Sequence, residues 1–366
     1  MNMLEIKKFK NESISFQIKN FADGIACALR DSMEEDPSVV TFGLGVTDPK
    51  SIFGTTRNLK EKFGGDRVFD TPVSENATTG MAVGLAISGY KPVLTHQRLD
   101  FSLLSIDQIV NSAAKWNFMF GGRQSVPLVI RMIIGQGWGQ GPTHSQALQS
   151  WFAQTPGLKV IMPAFPEDGY NLLRSSIADP NPVLFLEHRW LHQIKWEGHG
   201  KKALVSPLTQ SKNIHKGDDV TIIAYSVGSV YALNAAKILQ KLNIGLDVID
   251  AHNLRQLDVK PFSKSVKKTG RLLTVDFSHE FCSVGTEIIA RLINENFSNF
   301  KKPPQRLALP NFPVGTAHSV EKDFYFTTFD ICKKVLEITD NVTTENMSFI
   351  TEEFTKLQPT QFHGPF

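Results

Sequence analysis

Of the 366 residues, 41% are hydrophobic and 20% charged, the balance of a globular protein rather than of a chain that stays disordered. A formal net charge of +3 is too small to serve as an electrostatic footprint for nucleic acid or an anionic membrane surface. Cys27, Cys282 and Cys332 are far apart and odd in number, so neither a disulfide framework nor a zinc pattern is visible and a reducing compartment is expected. No apolar run reaches the ~20 residues of a membrane span. The N-terminal Met1–Lys10 stretch has neither a signal core nor an Arg-rich transit pattern, and a cytoplasmic location is expected. The length suits two domains with a core each.

In chain order, residues 1–20 read as an arm, and an amphipathic helix is expected at Phe21–Met33. Strands are expected at Val39–Gly43, Val68–Asp70, Pro92–Thr95, Pro127–Met132, Leu158–Met162 and Pro182–Glu187. Helices fall between them at Asn76–Ser88, Leu104–Phe120, Ser145–Gln154 and Glu167–Asp179. Continuous apolar strands alternating with helices argue for a buried parallel sheet, so residues 21–188 are assigned to a doubly wound α/β domain. Residues 189–218 carry little periodicity and read as a surface linker anchored by Trp190 and Trp196. A second α/β unit occupies 219–337, with strands at Asp219–Ser226, Leu246–Ile249, Arg271–Asp276 and Leu307–Leu309 and helices at Val227–Leu242 and Val284–Phe297. Polar residues dominate after Ile338, and 338–366 read as a C-terminal arm.

Four local features could carry chemistry. Asp70-Thr-Pro-Val-Ser-Glu75 runs from a strand end through a turn into a small-residue helix containing Gly80, Ala82, Gly84 and Ala86. Glu75 therefore sits at a helix N-terminus, where the dipole favours its charged form; a general acid/base and an ordinary first-turn acid both fit. Phe101 is either core or a platform for a flat ring. The loop Gly135-Gln-Gly-Trp-Gly-Gln-Gly-Pro-Thr-His144 is glycine-rich and bends or moves easily. It lacks the Gly-Lys-Ser/Thr ending of a phosphate-binding P-loop, and His144 at its end is either a capping residue or a functional one. Asp179-Pro-Asn181-Pro is a turn sequence.

Asp-Thr-Pro-Val-Ser-Glu75 resembles the signature of the beta subunits of thiamine-diphosphate-dependent 2-oxo acid dehydrogenases. Gly54-Thr-Thr-Arg57, Asp107-Gln-Ile109, Asn111-Ser-Ala-Ala-Lys115, His144-Ser-Gln146, Asn181-Pro182, Ser265–Arg271 and Gly285-Thr-Glu-Ile288 keep the same order. The resemblance covers roughly residues 20 to 335, and motifs that stay in order are far more specific than any single one. It implies a pyrimidine-binding domain followed by a transketolase C-terminal-like domain. It also implies thiamine diphosphate held by Val73, Glu75, Gln97 and Phe101. Glu75 would hydrogen-bond the cofactor's pyrimidine and His144 would line the entrance and assist acyl transfer. At Asp179 and Asn181 it implies a monovalent cation such as K+, held largely through backbone carbonyls. The chain contains no Gly-Asp-Gly string, the usual start of a diphosphate and Mg2+ motif. A separate alpha subunit is therefore implied, in an α2β2 heterotetramer, with a lipoyl-bearing acyltransferase as a further partner.

The resemblance has departures. Thr95-His96-Gln97 stands where relatives read a Glu-Phe-Met type of string. His96 could read a hydroxylated or charged substrate or merely satisfy a neighbour. Asp250-Ala-His-Asn-Leu-Arg255 and Asp276-Phe-Ser-His-Glu-Phe281 also differ, which puts docking on an acyltransferase core in question. Three functions follow: decarboxylation of a 2-oxo acid with acyl transfer to lipoamide, acyloin-type carbon–carbon coupling to an aldehyde or ketone, or a non-catalytic structural subunit.

Overall fold

The computed structural model describes residues 18–137, 140–194, 207–321 and 323–357. The expectations for residues 1–17, Trp138, Trp196 and the tail from 358 lie outside them.

The first helix, α1 (Phe21–Glu35), is started by Asn20, whose side chain accepts the Asp23 N–H at 2.8 Å, while Asp23 returns the bond to the Lys19 N–H at 3.0 Å. Such reciprocal caps satisfy donors that the first turn leaves free. Strands β1 (Val39–Gly43) and β2 (Val68–Phe69) are separated by two short helical segments, α2 (Ser51–Gly54) and α3 (Leu59–Phe63). Then follow α4 (Glu75–Ile87), β3 (Lys91–His96), α5 (Leu99–Ser102), α6 (Ala114–Met119), β4 (Val129–Ile134), α7 (Gln149–Ala153), β5 (Lys159–Ile161), α8 (Pro166–Ala178) and β6 (Val183–His188). The six strands pair in parallel in the order β2-β1-β3-β4-β6-β5. β4 and β6 are buried along their whole length, as expected of strands covered on both faces. α1 packs on α8, and a Cβ on Gly24 would stand 2.3 Å from the Pro166 carbonyl oxygen, so only glycine allows that approach.

The second domain contains β7 (Lys212–His215), β8 (Val220–Ala224), α9 (Val227–Gln240), β9 (Leu246–Asp250), α10 (Val259–Thr269), β10 (Leu272–His279), α11 (Val284–Asn296), β11 (Gln305–Leu309), α12 (His318–Glu321), α13 (Thr328–Ile338) and α14 (Thr344–Thr355). Its sheet has the order β11-β10-β8-β9-β7, parallel except for β7, which runs antiparallel to β9. The α/β class and the doubly wound layers are thus as expected.

Several stretches take another course. The helix expected over Leu104–Phe120 is broken into a 3₁₀ turn at Leu103–Ser105, a π-helical stretch at Gln108–Ala113 and α6. The Gln108 side chain lies over Gly80 of α4. The helix expected from Ser145 starts only at Gln149, because Ser145 donates to the Gln140 carbonyl and Gln146 is tied to Asp100. The surface linker expected at 189–218 is buried where it begins. Trp190 donates to the Gln136 carbonyl at 2.8 Å, and His192 bonds Glu187 at 2.9 Å; both are within 3% of full burial. Further on, Lys212–His215 joins the second sheet. The expected C-terminal arm holds α14, whose Met347, Ile350 and Phe354 recur at helical spacing; Ile350 is fully buried, and Lys241 of α9 pairs with Glu353.

Candidate active-site cleft

The C-terminal ends of β1, β2 and β3 form one end of the first sheet. Asp70 closes β2 by accepting from the Thr47 hydroxyl at 2.6 Å and backbone N–H at 3.1 Å. This fixes the turn that delivers Glu75 to the first position of α4. The Glu75 side chain is half-buried and makes no hydrogen bond or ion pair among the described residues. A carboxylate at a helix N-terminus with no protein partner can accept a ligand's proton or hydrogen bond.

Thr71, Pro72, Glu75, His96, Gln97 and Phe101 line one cleft of about 10 Å³, room for about one water. Gly45, at φ +80°, makes space for Gln97, whose Nε2 would lie 2.4 Å from a Cβ there. Phe101 meets the edge of the His144 ring at a centroid distance of 5.2 Å, which ties the glycine loop to the cleft. His144 is exposed in a turn, with Nδ1 3.1 Å from the Thr143 hydroxyl, and does not start a helix.

His96 is 4% exposed, and burial pushes its pKa down to about 4. Its Nε2 lies 3.2 Å from the hydroxyl of fully buried Thr79, one helical turn beyond Glu75 on the same face of α4. If the ring donated through Nε2, the Thr79 hydroxyl proton would have no acceptor among the described residues. Thr79 therefore donates, and Nδ1 carries the ring proton. Sequence reasoning singled out His96 but not Thr79; the i, i+4 spacing from Glu75 was the available signal. It also passed over Arg98, which donates to the Gly135 carbonyl at 2.5 Å and to the Gln140 side chain, bracing the glycine loop. Burial lowers its pKa to about 10, still charged at neutral pH.

Other expected site residues stand apart. Val73 is 71% exposed and does not line the cleft. Asp179 and Asn181 precede β6, so they lie at the opposite end of the parallel sheet. The Asp179 carboxylate is engaged by the Lys159 ammonium and, at 2.9 Å, by the Asn181 N–H. Among the described residues no group of three His, Cys, Asp or Glu is placed to hold a metal ion, and no helix is long and apolar enough to cross a membrane.

Residues 19–193 match the transketolase pyrimidine-binding domain and residues 210–331 the transketolase C-terminal domain. The chain is 38% identical to pyruvate dehydrogenase E1 component subunit beta-2, mitochondrial, of Oryza sativa subsp. japonica, over 82% of this chain and 81% of the relative. It is 35% identical to the corresponding mitochondrial beta subunit of Saccharomyces cerevisiae, over 86% and 87%. Among solved structures, a split-gene transketolase described as an inactive beta4 tetramer superposes with a TM-score of 0.72 over 88% of this chain and 98% of that one; at 18% identity this speaks for the fold alone. A cleft built on Asp-Thr-Pro-Val-Ser-Glu75, two transketolase-type domains in sequence and this degree of identity lead to one conclusion: the chain belongs to the family of pyruvate dehydrogenase E1 component beta subunits.

Proposed function

We propose that this chain is the beta half of a thiamine-diphosphate-dependent enzyme that decarboxylates a 2-oxo acid and passes the acyl group to lipoamide, active only with an alpha chain. The observation that carries the reading is the Glu75 carboxylate, without a partner among the described residues, in a cleft walled by Phe101 and Gln97. The residues fit the cofactor's aminopyrimidine. Glu75 offers an acceptor to a ring nitrogen, Phe101 an aromatic wall, and Gln97 a polar one. Bound there, thiamine diphosphate supplies the electron sink that a 2-oxo acid needs to lose carbon dioxide. Glu75 takes a proton at its carboxylate and returns it. His144, exposed on the loop beside Phe101, keeps Nε2 free to move a proton at the mouth.

A cleft of about 10 Å³ is far smaller than such a cofactor, and the chain lacks a Gly-Asp-Gly string. Both support a half-site. In this reading the alpha chain brings the diphosphate and Mg2+ ligands, the assembly is α2β2, and a lipoyl-bearing acyltransferase takes the acyl group. A second reading, carbon–carbon coupling to a hydroxylated aldehyde or ketone, is favoured by the polar His96 and Gln97 in the wall. Product analysis with and without a lipoyl domain separates the two.

The test is co-purification with an alpha chain, then calorimetric titration of thiamine diphosphate against wild type and Glu75→Gln. Binding by the pair, with turnover in the variant reduced about 10²- to 10⁴-fold, is expected. Undiminished turnover in Glu75→Gln removes the assigned role.

A further inference from the structure

A second cavity, of about 290 Å³, lies between the domains and shares no lining residue with the Glu75 cleft. It is close to the lower end of the ~300–1,000 Å³ range of small-molecule sites. One wall is the end of the glycine loop at Ser145 and Gln146; the other is the segment after β10 and β11, with His279, Asn311, Phe312 and Phe324. Among the described residues no Lys, Arg, Asp or Glu lines it, so these offer no counter-charge for an ion.

Each polar side chain in the wall has one end pinned by the protein. His279 Nδ1 lies 2.6 Å from the Pro310 carbonyl oxygen, which can only accept. The ring therefore carries its proton on Nδ1, and Nε2 remains as an acceptor. Asn311 Oδ1 accepts the Phe281 N–H at 3.2 Å, which fixes the amide and leaves its NH2 as the donor. Gln146 Nε2 donates to Asp100 at 2.8 Å, which leaves its carbonyl oxygen as an acceptor. The free capacity of these three side chains is one donor group and two acceptors, and the Ser145 oxygen, whose hydroxyl donates to the Gln140 carbonyl, is a further acceptor. Phe312 and Phe324 stand edge to face at 5.7 Å, and His279 meets Phe324 at 6.0 Å, a three-ring corner suited to a flat aromatic body.

We propose that this interdomain cavity is a binding site for a neutral heteroaromatic molecule bearing an amino or carboxamide group next to a ring or carbonyl acceptor. The amino hydrogens would go to His279 Nε2 or the Gln146 oxygen and the acceptor would take the Asn311 NH2. The site is independent of the reading given to Glu75.

Saturation-transfer NMR on the purified full chain tests it, with cytosine, adenine and nicotinamide as probes and benzoate as a charged control without a donor. Transfer to at least one of the three probes and not to benzoate is expected. In Asn311→Asp, which keeps the bond from Phe281 but turns the donor into an acceptor, and in His279→Phe, which keeps the ring and removes Nε2, affinity should fall at least tenfold. Because Asn311 is exposed and His279 only half-buried, both variants should keep the wild-type near-ultraviolet dichroism. No transfer to any probe, equal transfer to benzoate, or binding unchanged in both variants overturns the proposal.

Discussion

Thr79 decides what His96 can do. The threonine is fully buried and β-branched, so its hydroxyl has little freedom to turn elsewhere. By donating to Nε2 it leaves His96 as a neutral ring with an N–H at Nδ1, in the same cleft wall as the Glu75 carboxylate. The cleft lining then includes a carboxylate acceptor and a neutral ring with a donor. Thr79→Val keeps the shape and removes the hydroxyl, so the ring proton should be released to exchange between Nδ1 and Nε2. Imidazole ¹⁵N shifts would show this as a change from one tautomer to a mixture, with a stability loss of about 1 kcal/mol by urea titration. A wild-type ring found with its proton on Nε2 would contradict the assignment.

At the scale of elements, β4 and β6 are joined by more than their ladder. Arg131 Nε reaches Glu187 Oε1 at 2.6 Å, and Arg131 Nη2 and His192 Nε2 reach Oε2 at 3.0 and 2.9 Å, all with side chains fully buried. Burial alone would raise the Glu187 pKa, but the Arg131 guanidinium and His192 outweigh it and hold it down to about 2. Glu187→Gln keeps the volume and strands the Arg131 charge, so a loss of about 3–5 kcal/mol is expected in urea unfolding. A loss below about 1 kcal/mol would mean that the guanidinium finds other partners. This triad was invisible in the sequence because Arg131 and Glu187 meet only through pairing of distant strands. The β4 and β6 apolar runs, by contrast, were legible as buried strands, since their pattern is local. Glu75, Gln97 and Phe101 were legible as neighbours only through the family resemblance, which implied one cofactor pocket for all three, and the fold brings them into one cleft. Thr79 offered only its i, i+4 spacing from Glu75, and Arg98, a lone arginine after a strand, carried no pattern at all. The helix at Thr344–Thr355 was missed because its average polarity hides three apolar positions on one face.

For the whole molecule, protonation sets an acid limit. Burial pushes His96 down to about 4 and His188 to about 3, the latter helped by His192 and Arg98. In the unfolded chain these rings titrate near 6.5. Below that pH the unfolded chain binds protons that the folded one refuses, so stability is complete above about pH 6.5 and falls as pH drops towards 4. Urea midpoints at pH 7.5, 5.5 and 4.5 should fall in that order, and His96→Phe should flatten part of the slope. Equal midpoints would show that the rings take up protons in the folded state. Assembly is the other property of the whole chain. Phe118, Met119 and Phe120 at the end of α6 are 87%, 58% and 45% exposed, and Met81 and Ile87 of α4 are 41% and 42% exposed. A Cβ on Gly84 of α4 would meet nothing within 4 Å. Large apolar side chains left in water at the end of α6 and on α4, the helix that presents Glu75, are what the half-site reading requires as a seat for another chain. Phe118→Glu should therefore abolish the complex with the alpha chain in sedimentation velocity. Its own stability should stay within about 0.5 kcal/mol, because the side chain contributes little to the isolated fold. A complex that forms undiminished with Phe118→Glu would put the partner on another face and leave the apolar α6 end without that role.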